Sequence, residues 1–330
     1  MNYGFDFTNE ICYISISDGK IITDLNVVRC PRDIAERIEF AKKYLEEEHD
    51  RAVLVIEEMT PEALEIVCGD QISLISKEEA FAAYLLGQEK NLWKQPVALF
   101  EFHEQYFCFF ELRRQGNNLL TTRKKEDVSA KKLGEAKEKD RFFTKQTADK
   151  LNHNPATHVY LIGEQFAGEW MELSLNSVCN GRRVFMGNHL FANGALLSLQ
   201  EHSEKLMNVI TQDNHPYYWG IRAFHHGQKD VFVPIIQPGS FWFATEGTVE
   251  VLVDECEQLE IEGMHSITRQ KIKVCLPLNM KQQYPLRTTK IRIRMRCVST
   301  NVIETTVYDV GFGVSREGKG MIYQEEFKLS

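Results

Sequence analysis

Residues 157–200, THVYLIGEQFAGEWMELSLNSVCNGRRVFMGNHLFANGALLSLQ, are the part of the sequence that decides the fold. They open with the apolar run His158–Ile162, rich in β-branched and aromatic side chains, which predicts a buried strand. Gly163 ends this run. A glycine in that place allows the backbone to approach a ligand closely, so it is a candidate for a ligand contact.

The rest of this stretch alternates helical and extended patterns. Apolar residues over 170–178 recur at helical spacing, and 183–185 predicts a short strand. Residues 194–199 begin a second apolar helix. The order is strand, glycine turn, helix, strand and helix, which is typical of an α/β domain.

This order resembles the adenosine motif of the actin and DnaK-type ATPase superfamily, with VYLIGE (159–164) as its strand and glycine and NGALL (193–197) as its later helix. VYLIGEQFAGEWM (159–171), RTTKIRIRMR (287–296) and DVGFGVSREGKG (309–320) also resemble an uncharacterised bacterial family of actin/DnaK-like proteins. The resemblance implies a reduced two-lobe actin/DnaK-like ATPase core of α/β class, followed by a β-sandwich domain. It brings no established activity with it.

Length and charge limit the classes to which the chain can belong. At 330 residues it is long enough for two domains. A net charge of −8 argues against nucleic acid or an anionic membrane as the main partner. The sequence predicts no membrane-spanning run of about 20 apolar residues, and its N-terminal residues lack the pattern of a signal peptide. We expect a cytoplasmic protein with a protein partner.

The cysteine pattern agrees with that compartment. The eight cysteines lie far apart without a CxxC pair, so we expect reduced thiols, most of them in the core, and no metal site. They are Cys12, Cys30, Cys68, Cys108, Cys179, Cys256, Cys275 and Cys297.

The hydrophobic pattern divides the chain into a core, 1–213, and a second domain, 214–330. Residues 1–95 predict three strands and then alternating helices and strands, which resembles the first lobe of the superfamily. Residues 96–213 open within a predicted hairpin that turns near His103, and they end in the stretch quoted above. We expect them to form the second lobe.

Two other segments have distinct patterns. The polar and charged residues 113–139 predict a solvated loop. Residues 214–330 contain alternating apolar runs, including SFWFATE (240–246), with turn signals at 238–239 and 262–263. They predict a β-sandwich without helices.

ATP hydrolysis in the superfamily that the chain resembles uses two phosphate-binding hairpins, each with an acidic residue that holds hydrated magnesium. In the first hairpin here, Asp6 matches that acid, and Thr8 and Asn9 lie at the turn. Phe7 replaces the glycine that usually follows the acid. Backbone amides at glycine-rich tips contact phosphate directly, so we expect the Phe7 side chain to crowd an approaching phosphate.

The second hairpin departs further from the pattern. Glu101 replaces the magnesium-linked Asp, no glycine follows it, and Glu104 adds negative charge where phosphate would lie. At the adenosine motif Gly163 is kept, while Glu164 replaces the second glycine. The connections within each lobe are also too short for the inserted subdomains of DnaK-type ATPases, one of which clamps the adenine.

These observations favour a degenerate actin/DnaK-like protein that acts as a cytoplasmic binding or regulatory module, with no catalytic residue and no cofactor. Two alternatives stay open: residual binding or hydrolysis of ATP with magnesium, and a peptide-binding, chaperone-like role for the β domain. The vestigial nucleotide site comprises Asp6, Thr8, Asn9, Glu101, Gly163 and Glu164.

Overall fold

The computed structural model describes residues 1–67, 71–116, 118–128, 135–152, 154–200, 208–253, 256–280 and 289–329. The chain divides into two compact units, Met1–Gln212 and Asp213–Ser330. Cys68 and the first two residues of the RTTKIRIRMR stretch lie outside the described residues. Within the described ranges, no helix is both long and apolar enough to cross a membrane.

The first unit contains two six-stranded sheets. The first sheet has the order β3-β2-β1-β5-β6, with β4 beside β2, and its strands are β1 (Asn2–Asp6), β2 (Ile11–Ser17), β3 (Ile22–Asp24), β4 (Val28–Arg29), β5 (Arg51–Ile56) and β6 (Ile72–Ser76). Strands β1, β2 and β3 form an antiparallel meander, whereas β5 and β6 continue the sheet in parallel. The helices of this half are α1 (Ile34–Lys42), α2 (Pro61–Ile66), α3 (Lys77–Leu86) and a 3-10 helix (Lys90–Leu92).

The second sheet repeats this topology. Its order is β11-β10-β7-β8-β9-β12, and its strands are β7 (Val97–Phe102), β8 (Tyr106–Gln115), β9 (Asn118–Asp127), β10 (His158–Ile162), β11 (Arg183–Met186) and β12 (Asn208–Ile210). Again an antiparallel meander, β7-β8-β9, is extended by two parallel strands, β10 and β11, while β12 pairs in parallel with β9. The helices of this half are α4 (Ala136–Leu151), a 3-10 helix (Glu164–Phe166), α5 (Leu173–Cys179) and α6 (Leu190–Ser198).

Helix α6 packs closely on α3 and on β1, and two glycines make this possible. A Cβ atom added at Gly194 would lie 2.0 Å from the carbonyl oxygen of Ala80 in α3. One added at Gly4 in β1 would lie 2.1 Å from the carbonyl oxygen of Ala192 in α6. Both glycines therefore serve the contact between backbones.

The second unit consists of two four-stranded antiparallel sheets, ordered β14-β13-β16-β17 and β15-β18-β19-β20. Their strands are β13 (Tyr217–His225), β14 (Gln228–Ile236), β15 (Glu246–Val253), β16 (Cys256–His265), β17 (Lys271–Met280), β18 (Thr289–Ser299), β19 (Val302–Gly311) and β20 (Gly320–Lys328). Apolar side chains of both sheets share one buried cluster, with Trp219 and Ile261 from the first sheet and Ile293 and Val307 from the second.

The loop predicted over 113–139 is wrong for the residues that are described there. Strand β9 pairs with β8 along its whole length and buries Leu119 and Thr121. Helix α4 begins at Ala136 and, beyond 139, buries Phe143 and Leu151 on one side. Both elements expose mostly charged side chains and bury few apolar ones, so their composition resembles that of a loop.

Two details of the β domain also differ from the sequence pattern. Within SFWFATE (240–246), Trp242–Ala244 form a 3-10 helix, and β15 begins only at Glu246. The turn predicted at 262–263 lies inside β16. A Cβ atom at Gly263 would come within 2.6 Å of the Trp219 ring, so this glycine makes room for the tryptophan and does not mark a turn.

Candidate functional site

The ends of the two central strands bring the predicted acidic residues to equivalent positions. Asp6 is the last residue of β1, and Glu101 is the next-to-last residue of β7. Asp6 lies opposite Val55 of the parallel strand β5, and Glu101 lies opposite Ile162 of the parallel strand β10. Ligands of α/β sheets commonly bind at such strand ends. Both carboxylates are buried.

The first hairpin holds Asp6 in place through the turn that follows it. Oδ1 of Asp6 accepts hydrogen bonds from the amide of Thr8 at 3.0 Å and from its hydroxyl at 2.5 Å. Burial raises the pKa of Asp6, against the opposing effects of the Lys77 ammonium and of Thr8. Asn9 connects the two hairpins, because its Nδ2 atom lies 3.5 Å from Oε1 of Glu101.

The expectation that Phe7 would crowd a phosphate is wrong. Phe7 is fully buried and stacks on Phe5, with ring centroids 5.5 Å apart. Both rings also pack edge-on against Phe40 of α1. In an extended chain, side chains alternate between the two faces, so Phe7 continues the core face of Phe5, and Asp6 takes the opposite face.

Glu101 is the centre of a buried polar network. Its Oε1 atom accepts hydrogen bonds from Nζ of Lys77 at 2.8 Å and from the hydroxyl of Tyr106 at 2.7 Å. Nε2 of His103 lies 3.0 Å from the same oxygen. Burial would raise the pKa of Glu101, but Lys77 and His103 outweigh it and lower the pKa well below its usual range. The carboxylate is therefore ionised.

The ammonium group of Lys77 has the opposite charge at the same depth. Its side chain is 1% exposed, and Nζ also lies 2.9 Å from Oε2 of Glu57. Burial disfavours the charge, yet Glu101, Tyr106, Glu57 and Asp6 raise the pKa of Lys77 well above its usual value. The position of the Lys77 side chain is set by its place as the first residue of α3.

A capping box sets the start of α3. Ser76 accepts a hydrogen bond from the amide of Glu79, whose carboxylate accepts one from the amide of Ser76 in return. This exchange fixes the direction in which the chain leaves β6. A lysine in the first turn of a helix faces the positive end of the helix dipole, which is unfavourable unless an acid compensates it. The acids that compensate it here are Glu57 and Glu101, which contact its ammonium group.

The tip of the second hairpin is covered by the carboxylate of Glu164, which lies just after β10. Oε1 of Glu164 accepts a hydrogen bond from the amide of Glu104 at 2.7 Å. Its Oε2 atom forms a close ion pair with Nδ1 of His103. Burial lowers the pKa of His103, but the hydrogen bonds with Glu101 and Glu164 outweigh burial and raise it to about 9. The imidazole is thus charged at neutral pH.

The conformational freedom of Gly163 serves the packing of the chain against β7. Its φ angle is 114°, and an added Cβ atom would lie 2.2 Å from the carbonyl oxygen of Phe102. Its amide donates to Oδ1 of Asn188 at 2.8 Å. The glycine therefore allows a close approach to the backbone of β7, and the ligand contact predicted from the sequence stays a prediction.

A cleft of about 590 Å³ opens beside these groups. Its size falls in the range of small-molecule sites, which is about 300–1,000 Å³. The structure brings Thr8, Asn9 and Glu164 to its wall. The sequence did not predict the other polar side chains of this wall, which are Glu10, Tyr13, Arg29, Arg32, Arg37, Glu57, His103, Gln105, Tyr106 and Lys125, beside the predicted Glu104.

The residues present do not fit ATP with magnesium. The Lys77 ammonium already compensates Glu101, the acid that would hold hydrated magnesium. The Glu164 carboxylate already accepts from the hairpin tip that would contact phosphate. In the part of the chain that the structure describes, no group of three or more His, Cys, Asp or Glu side chains is arranged to hold a metal ion.

Family comparison agrees with the division into two units. The C-terminal model of the family of unknown function DUF5716 matches residues 39–212. The chain belongs to this family. In this DUF5716 protein, residues 214–329 match a second model, the domain of unknown function DUF8552. A comparison with curated proteins found no match.

Three solved structures are distantly similar to the DUF5716 chain. The activator of the 2-hydroxyisocaproyl-CoA dehydratase from Clostridium difficile, with bound ADPNP, has a TM-score of 0.38 at 10% identity, and the match covers 60% of this chain and 93% of the activator. A Bacteroides thetaiotaomicron protein with actin-like ATPase fold and unknown function has a TM-score of 0.39 at 10% identity, with coverages of 60% and 96%. The ROK hexokinase from Thermus thermophilus has a TM-score of 0.39 at 13% identity, with coverages of 59% and 97%. At these scores the similarity carries no argument about function.

Proposed function

We propose that this chain is a degenerate actin/DnaK-like protein that acts in the cytoplasm as a binding or regulatory module and does not hydrolyse ATP. In this proposal the first unit is a reduced two-lobe core, the second unit is a β-sandwich, and the partner is a protein. The repeated topology of the two sheets in the first unit supports a two-lobe core, because each sheet presents an acidic residue at the end of its central strand.

The contact between Lys77 and Glu101 carries the proposal. Both side chains are 1% exposed, and Nζ lies 2.8 Å from Oε1. A covalently attached ammonium compensates the carboxylate that hydrated magnesium would otherwise compensate. Displacing it would leave buried charges without partners, which typically costs several kcal/mol. Replacement of the Lys77 ammonium by magnesium at Glu101 would therefore be unfavourable.

An assay of phosphate release from ATP with magnesium tests the loss of hydrolysis. We expect the wild-type protein to release phosphate no faster than the Asp6→Asn variant. We also expect millimolar ATP or ADP with magnesium to leave the melting temperature unchanged, because a ligand that binds only the native state raises it in proportion to affinity. Turnover that disappears in Asp6→Asn would show that the proposal is wrong.

Capture of partners from cells that express the protein tests the binding role. Arg32→Glu changes the charge on the wall of the cleft, and Arg294→Glu makes the same change at an exposed position of β18 in the second unit. We expect a specific protein to be captured by the wild type and lost with one of these variants only. Identical capture by all three proteins would contradict a specific binding surface at either place.

A further inference from the structure

The loop between β19 and β20 has an apolar tip, residues 312–315, that faces solvent. Val314 is fully exposed, and Phe312 is 38% exposed. The other two residues of the tip are a glycine and a serine, so the tip contains no charged side chain. A single exposed apolar residue is common on protein surfaces, so exposure alone indicates no function. This tip is unusual because the loop below it is firmly held.

A buried ion pair and three hydrogen bonds hold the base of the loop. The Asp309 carboxylate contacts Nη1 and Nη2 of Arg316, and both residues are buried. The same carboxylate accepts a hydrogen bond from the amide of Gly311 at 3.0 Å. The amide of Phe312 donates to the carbonyl of Arg316 at 2.8 Å, and the amide of Ser315 donates to the carbonyl of Phe312 at 3.1 Å. These contacts fix the backbone on both sides of the tip.

Two glycines allow the two sides of the loop to approach each other closely. A Cβ atom added at Gly311, whose φ angle is 75°, would lie 2.3 Å from the carbonyl oxygen of Arg316. One added at Gly318 would lie 2.4 Å from the carbonyl oxygen of Asp309. The base of the loop is therefore packed backbone against backbone. A tip held in this way loses little conformational entropy on binding, which favours a role for Val314 as a docking residue.

The first unit has an apolar surface pocket that could receive such a tip. The pocket has a volume of about 390 Å³ and is lined by Glu10, Ile11, Val27, Val28 and Arg29. It lies where β4 pairs with the start of β2. Ile11 is 42% exposed and Val27 is 49% exposed, so both have apolar surface left to bury. The pocket adjoins the cleft of the candidate site, but Val27 and Val28 lie outside that cleft.

The charges beside the tip and beside the pocket are complementary. Glu317 is exposed and lies three residues after Val314. Arg29 is exposed and lies at the pocket, together with Glu10. Opposite charges that face each other at the rim of a contact select one orientation, and like charges disfavour the other. The match therefore requires that Glu317 faces Arg29 and points away from Glu10.

We propose that the 312–315 tip of one copy of this chain docks in the Ile11–Val27 pocket of a second copy, with Glu317 of the first copy facing Arg29 of the second. The contact is heterologous, so each pair of copies keeps one unused tip and one unused pocket, and further copies can add to form an open chain or a closed ring. One tip in one small pocket makes a small interface, so we expect weak association. This inference goes beyond the proposed function, because the second copy is itself the partner and the contact uses no nucleotide.

Sedimentation velocity of the full chain without nucleotide tests the contact. We expect the wild type to form dimers and larger species as its concentration rises to about 0.5 mM. Val314→Asp puts a charge into the apolar contact, so we expect it to weaken the association at least about tenfold. Val298→Asp is the matched control, because it makes the same change at another exposed valine of the second unit, in β18. The fluorescence of the buried Trp219 checks that both variants are folded.

A mixture of two variants tests which surfaces meet. Val314→Asp keeps the pocket and Val27→Asp keeps the tip, so we expect neither to associate alone. Their equimolar mixture should form a dimer that does not grow further, because no second intact tip and pocket remain. Arg29→Glu and Glu317→Arg should each weaken the association of the otherwise unchanged chain, and the chain that carries both changes should recover it.

Three results would overturn the inference. The first is a wild type that stays monomeric over the whole concentration range, and the second is an equal loss of association in Val314→Asp and Val298→Asp. The third is association that Val27→Asp and Arg29→Glu leave unchanged, because the tip would then meet another surface. Arg29→Glu decides this point alone if Val27→Asp does not fold. ATP turnover by the wild type would instead contradict only the proposed function.

Discussion

Nζ of Lys77 lies 2.8 Å from Oε1 of Glu101 at a place where both side chains are buried. Lys77 begins a helix and Glu101 lies near the end of a strand of the other sheet, so this ion pair connects the two halves of the first unit. The same oxygen of Glu101 accepts from Tyr106, and Asn9 of the first hairpin bonds to both. The ion pair is therefore a structural crosslink within the first unit.

Lys77→Met removes the cation from this crosslink. The change leaves the ionised Glu101 buried without its main partner, and breaking a buried pair in this way costs about 3–5 kcal/mol. We expect the free energy of unfolding of the first unit to fall by that amount, measured by urea denaturation monitored through Trp93, which is buried in the core that includes α3.

The double variant Lys77→Met, Glu101→Gln provides the control. Removing both charges avoids the unpaired carboxylate, so we expect it to recover more than half of the loss seen with Lys77→Met alone. If the losses of the single variants simply add, the contact does not contribute to stability as an ion pair.

His103 predicts a dependence of stability on pH. Its pKa is raised to about 9, since the hydrogen bonds with Glu101 and Glu164 outweigh burial. Because the pKa of His103 is higher in the folded state than in the unfolded state, protonated His103 stabilises the folded state. This stabilisation is complete below about pH 6.5 and is lost as pH rises through about 9. The measurement compares the free energies of unfolding of the wild type and His103→Gln at pH 7 and at pH 10. We expect the difference between the two proteins to be smaller at pH 10 by roughly 1–3 kcal/mol.

The charged groups that face His103 do not titrate in that interval. The pKa values of Glu101 and Glu164 are lowered and that of Lys77 is raised well above its usual value. His158→Gln is the control, because burial lowers the pKa of His158 and keeps it neutral throughout. An equal pH dependence in both comparisons would contradict the assignment to His103.

The contact between α6 and α3 predicts a cost for Gly194→Ala. The added methyl group would lie 2.0 Å from the carbonyl oxygen of Ala80, so one helix must move. Overpacking of this kind costs about 1–3 kcal/mol. Gly187→Ala is the matched control, since no atom lies within 4 Å of its added Cβ. Equal melting temperatures for the two variants would show that the helices are not closely packed.

The elements of the first unit follow largely from its sequence, and the errors have a physical cause. Strands such as β5 and β10 are continuous apolar runs because parallel strands are covered on both faces. Strand β9 and helix α4 bury only one side and expose mostly charged side chains on the other. Their composition therefore resembles that of a loop. The role of Gly263 was also hidden from the local sequence, because this glycine makes room for the ring of Trp219, which is distant in sequence.

The site was predictable only where residues are neighbours in sequence. The hydrogen bonds of Thr8 to Asp6 lie within one hairpin, and a motif includes both residues. Lys77 is 24 residues from Glu101, and Glu164 is 60 residues from Glu104. Only the sheet topology brings these pairs together, and they are the contacts that replace a metal and a phosphate in the proposed function.

The second unit has its own buried ion pair, which predicts a further stability effect. Arg316 and Asp309 contact through Nη1 and Nη2 of the guanidinium group, with Nη1 at 2.7 Å from Oδ2, and both residues are buried. We expect Arg316→Leu to lower the free energy of unfolding of this unit by about 3–5 kcal/mol, because Asp309 would stay buried without its partner. Arg294→Leu breaks an exposed ion pair between Arg294 of β18 and Glu246 of β15 and should leave stability unchanged within error. Urea denaturation followed through Trp219 measures both, and similar losses would show that burial does not distinguish the two pairs.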